Sequence, residues 1–120
     1  MNLKYIFNRI KFNNMALRDQ NRHKNRIIKM SNSIEGRFPE VNRPEKIKLK
    51  HVKWIINHWF NEQTYKPLTR DAYVASLRLL IEALGRGNHW IHALGIGPKG
   101  PGGRPRIVGV VKSKKNGIKK

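Results

Sequence analysis

The feature that most restricts the fold of this chain is the stretch from Pro67 to Gly85, its strongest helix signal. Tyr73, Leu77, Leu80, Ile81 and Leu84 recur at helical spacing and make one apolar stripe. Thr69 is expected to cap the N-terminus with its hydroxyl, and Asp71 falls where the helix dipole favours a carboxylate. Asp71, Arg78, Glu82 and Arg86 map near the opposite face, and Gly85 offers the left-handed residue that ends such a helix. A helix of this kind has one side to bury and one side for water or a partner.

A second amphipathic helix is expected from about Lys48 to Asn61. Leu49, Val52, Ile55, Ile56, Trp59 and Phe60 form its inner stripe, with Lys50, Lys53, Trp54, Asn57 and His58 outside. His51 reads as an outer-face residue like His58, and Trp54 as half-buried against another segment. The short link from Asn61 to Pro67 predicts that these two helices pack antiparallel, stripe against stripe. Upstream, Leu17, Ile27, Ile28, Met30 and Ile34 are interspersed with Arg18, Arg22, Lys24, Arg26 and Lys29. They predict a first basic helix from Leu17 to Ile34, closed by Gly36. Pro39 and Pro44 make residues 38–46 a connector. Asn88 to Leu94 is expected to add one or two turns that close the core with Trp90, Ile91 and Leu94.

The ends differ from this body. Residues 1–14 carry Leu3, Ile6, Phe7 and Ile10 at helical spacing with Lys4, Arg9 and Lys11 and no acid. They read as a basic amphipathic leader or an extra helix. From Gly95 the chain turns Gly/Pro-rich and basic, so 95–120 is expected to be a flexible cationic tail, with 15–94 as the helical domain. The expectation is an all-α bundle of four to five helices.

Charge narrows the partners. Twenty-six Lys and Arg oppose seven Asp and Glu, a formal charge of +19, and no acid follows Glu82. Self-repulsion on that scale favours a polyanion as partner, with nucleic acid ahead of an anionic membrane surface. The chain has no cysteine, which excludes disulfides and Cys-based zinc sites and suits a reducing compartment. No apolar run reaches the roughly 20 residues of a membrane span.

Motifs for chemistry are weak. Gly95-x-Gly97-x-x-Gly100 matches a dinucleotide fingerprint in form only, since Pro98, Pro101, Gly102 and Gly103 exclude the helix that must follow. His89 and His92 stand at i, i+3 without the third ligand that catalytic zinc wants. Seven scattered acids give general acid–base chemistry little material, so neither metal nor other cofactor is expected, and no catalysis. Gly103-Arg104-Pro105-Arg106 is similar to a minor-groove AT-hook, but Gly102 stands where that motif has a second Arg.

Two stretches carry a family resemblance over residues 25–95. Ile47 to Trp59 resembles the segment opening the second helix in the N-terminal, SAM-like core-binding domain of tyrosine recombinases, the integrases of phages and integrative elements. Thr69 to Gly85 resembles the Thr-x3-Tyr-x3-Leu-Arg helix of those domains. The resemblance implies a SAM-like bundle that clasps duplex DNA, with Thr69 and Arg70 at a DNA-facing helix start and Arg78 matching the Arg of the Leu-Arg pair. The family's catalytic half, with its His-x-x-Arg box and Tyr nucleophile, has no counterpart in the 25 residues after Gly95. Expected functional residues are therefore Lys50, Lys66, Thr69, Arg70 and Arg78 on the domain, with Lys99, Arg104 and Arg106 in the tail. The expected role is duplex-DNA binding through phosphates, in the cytoplasm with the nucleoid, with a recombinase catalytic subunit as a candidate protein partner. A structural RNA-binding protein of ribosomal type and a protein-interaction module anchored by Trp54 or Trp90 are the alternatives.

Overall fold

A computed structural model describes residues 1–97, all of whose regular structure is helical. Helix α1 spans Lys4–Arg9 and α2 spans Leu17–Arg37. A 3-10 turn at Pro44–Lys46 precedes α3, which runs as Leu49–Trp54, a π-helical turn Ile55–Trp59, and Phe60–Gln63. Helices α4, Pro67–Ala83, and α5, Gly87–Leu94, complete a five-helix all-α fold. The tail residues 98–120 of the sequence reading, Lys99, Arg104 and Arg106 among them, lie outside the described residues.

Helix α4 starts two residues before Thr69. Pro67 occupies the first helical position, where its fixed φ suits the helix and its missing N–H is not needed, and Lys66 takes the cap position. Thr69 thus sits inside the first turn and is not the cap. At the other end Gly85 adopts φ +78°, and two bonds close the turn, Gly85 N–H to Glu82 O at 3.0 Å and Arg86 N–H to Ile81 O at 3.1 Å. Gly36 does not end α2, which runs on to Arg37. The stop is Phe38, drawn towards extended geometry by Pro39 behind it.

Inside, Ile27, Met30 and Ile34 of α2 meet Leu77, Leu80 and Ile81 of α4, all fully shielded. At about 1.5–3 kcal/mol for each such side chain buried, this seam is the main cohesive contact of the domain. It also corrects the expected pairing, because α4 packs principally on α2 rather than on α3. Helix α3 meets the start of α4 through a cluster of rings in which Trp59 and Phe60 stand 5.9 and 6.2 Å from Tyr73. Tyr65 from the link stacks on Tyr73 at 4.7 Å. The wide π turn brings Trp59 and Phe60 to this cluster, and side chains reach its carbonyls. Asn61 Nδ2 donates to Asn57 O at 2.9 Å and Arg70 Nη2 to Ile56 O at 3.5 Å.

Leu3, Ile6 and Ile10 are buried around α1, and the Tyr5 hydroxyl donates to Glu45, so residues 3–10 are built into the core. Trp90 of α5 is buried and Ile91 and Leu94 are half-buried. Trp54 is half-buried edge-on to Phe38 at 5.7 Å. His51 differs from its expected outer position. Only 2% exposed, it lies 4.7 Å from the Phe38 ring. Of the apolar residues of α2, Leu17 and Ile28 face outward at 68% and 38% exposure.

Candidate nucleic-acid interface

Positive charge on the described surface is nearly unanswered. Among the described residues Arg22 and Arg43 are the only cationic side chains paired with a carboxylate, at 3.6 Å to Asp19 and 3.7 Å to Glu45. Both pairs are exposed, where such contacts contribute little. The remaining Lys and Arg lie on α1, α2, α3 and α4 and in the links between helices, and α5 carries none.

The expected site residues do not form one surface. Lys66 and Thr69 are exposed at the start of α4, and Lys50 is exposed in the first turn of α3. Arg70 is half-buried instead, its guanidinium 5.2 Å over the Phe60 ring and bonded to the Ile56 carbonyl. Arg78 is also half-buried and donates to Ile96 O at 3.1 Å, tying down the chain after α5. Eight residues apart on one helix, these two arginines are turned about 80° from each other. Arg70 looks to α3, Arg78 to the end of α5.

Helix α2 carries Arg18, Arg22, Lys24, Arg26 and Lys29, which the sequence offers either as a solvated cationic face or as a phosphate-contacting one. Arg18, Arg22 and Lys29 are exposed, while Lys24 and Arg26 are half-buried at the margins. Lys24 Nζ lies 5.8 and 5.7 Å over Phe7 and Phe12, and the Arg26 guanidinium 6.0 Å over Tyr73, so aromatic faces fix both charges in place. On the inner margin His23 Nδ1 meets Ser76 Oγ at 2.8 Å, and burial lowers the histidine's pKa, helped by the charge of Arg26. Burial likewise lowers that of His51, whose Nδ1 accepts the Lys48 N–H at 2.9 Å. Neutral imidazoles at both positions leave the outer charge to Lys and Arg. The charge of this face was legible in the sequence, whereas the aromatic rings that hold Lys24 and Arg26 come from distant segments and were not.

Among the described residues no three His, Asp or Glu side chains gather as a metal site requires, and His89 and His92 are exposed. No helix among them is long and apolar enough to cross a membrane. No protein-family model matches the chain, and neither does a curated protein or a solved structure.

Proposed function

We propose that this chain is a helical DNA-binding module that holds duplex DNA mainly through its phosphates, without catalysis of its own. The observation that carries this reading is the surplus, among the described residues, of lysines and arginines without carboxylate partners, on a chain of formal charge +19. Cations in that excess release condensed counterions when they meet a phosphate backbone, and this release supplies sequence-independent affinity. Lys50 at the start of α3, and Lys66 and Thr69 at the start of α4, are exposed at separate places, and Lys99, Arg104 and Arg106 belong to a segment without acids. Lysines act there as point charges, whereas arginines also reach base edges or a narrow minor groove.

The sequence resemblance to the core-binding domain of tyrosine recombinases agrees with this reading. It nominates a recombinase catalytic subunit as protein partner and the nucleoid as the place of action. The test is titration of a fluorescent 30-base-pair duplex at several salt concentrations. Contacts to six to ten phosphates predict a loss of about 10³–10⁵ in affinity between ~50 and ~200 mM salt. An interaction indifferent to salt overturns the proposal. Tighter capture of structured RNA in direct competition transfers the function to the RNA-binding alternative.

A further inference from the structure

On the outer face of α2, Leu17, Asn21, Asn25, Ile28 and Asn32 fall in one stripe, at steps of four, four, three and four residues. At 100° per residue they share an arc of about 80°, centred roughly 150° from the buried Ile27, Met30 and Ile34; Glu35 falls on the same arc, its carboxylate paired with the Met1 amino group at 2.8 Å. All five are exposed. The hydrogen bonds made by α2 side chains belong to Gln20, His23, Arg26 and Ser33, which leaves the three carboxamides of the stripe uncommitted. Cations border the stripe on both sides. Arg18, Arg22 and Lys29 line one edge, and Lys24 stands on the other.

We infer that α2 is a recognition helix, and that its stripe reads base edges in the major groove of B-form DNA while the bordering cations hold the phosphates. This rests on the proposed DNA-binding role and adds to it sequence readout and its location. Three properties of the face point there. An asparagine amide pairs bidentately with adenine N6 and N7, and an aliphatic group such as Ile28 fits a thymine methyl. From Leu17 to Asn32 the helix rises about 22 Å, and its width of about 10–12 Å matches a major groove roughly 12 Å across. The bordering cations sit where the groove walls carry phosphates. The deep, narrow groove of A-form RNA does not admit a helix, so the same stripe is unsuited to duplex RNA. A partner protein would call for a stripe of apolar anchors, and this one has two apolar residues among three amides.

The experiment is enrichment of duplexes from a randomised pool by the full 120-residue chain. Anisotropy at fixed salt then compares the selected duplex, a scrambled duplex and the selected sequence as duplex RNA. Wild type is expected to enrich an A·T-containing motif and to bind it at least tenfold better than the scrambled duplex. Asn21→Ala/Asn25→Ala lowers that ratio by about tenfold or more. Arg22→Ala/Lys29→Ala weakens binding to both DNA duplexes together and keeps the ratio. The positions are exposed and alanine favours helix, so the variants are expected to fold, which circular dichroism checks. If no motif is enriched, or the amide variant keeps the ratio, or duplex RNA binds as well as DNA, the recognition-helix assignment is overturned while DNA binding stands. If no DNA duplex is bound even at low salt, both proposals are overturned.

Discussion

Two buried polar side chains show how single residues set the stability of this domain. The His51 ring lies against Phe38, its Nδ1 occupied by the Lys48 N–H and its Nε2 buried without a partner. Burial holds its folded pKa below that of free histidine near 6.5, so the unfolded chain takes up the proton first. The stabilisation is therefore complete above about pH 6.5 and is lost as pH falls from there towards the folded pKa. His23, also lowered by burial, adds to the loss with the same sign. The melting temperature is expected to drop between pH 7.5 and pH 5, and His51→Gln to flatten that slope. An equal slope in the variant means that His51 does not contribute. Ser31 is simpler. Its hydroxyl is fully buried with no partner, so Ser31→Ala is expected to stabilise by about 1 kcal/mol in a denaturant titration, through helix propensity and the removed desolvation cost.

At the scale of elements, the α2–α4 seam and the turn after α4 are decisive. Leu77 is fully shielded in that seam, and Leu77→Ala is expected to cost about 2–5 kcal/mol, read as a lowered denaturation midpoint. Gly85 holds φ +78° with open space around the position of a Cβ, so Gly85→Ala meets no clash and isolates the cost of a left-handed residue, about 1–2 kcal/mol. The α4 stripe and its glycine stop were legible in the sequence because both follow from local periodicity and backbone freedom. The choice of α2 over α3 as the main packing partner was not. Both candidates carry apolar stripes, and only the assembled bundle decides which lies closer. The helix start was misplaced for a related reason, since Pro67 and Thr69 are both good start residues and only one of them can open the helix.

For the whole molecule, charge dominates. Eight Lys and Arg lie in residues 98–120 with no acid among them. A chain ending at residue 97 is therefore expected to bind duplex DNA more weakly and with a shallower dependence on salt, because fewer counterions are released. The same salt slope in both chains means that the cations of residues 98–120 make no phosphate contacts. Of the candidate site, the sequence made the net charge readable, yet Arg70 and Arg78 were chosen by their place in a motif. Their half-buried roles against Phe60 and the Ile56 carbonyl, and against the Ile96 carbonyl, depend on neighbours far along the chain.

What the amino-acid order settled alone is the helical class, the stretches that become helices and the excess of positive charge. Each is a matter of local spacing or simple summation. Which faces of those helices stay in water was decided by tertiary packing. His51 went inside, while Leu17, Asn21, Asn25, Ile28 and Asn32 were left outside together. The reason is competition for one small core. Once Ile27, Met30 and Ile34 had closed on α4, the opposite side of α2 had nothing left to pack against.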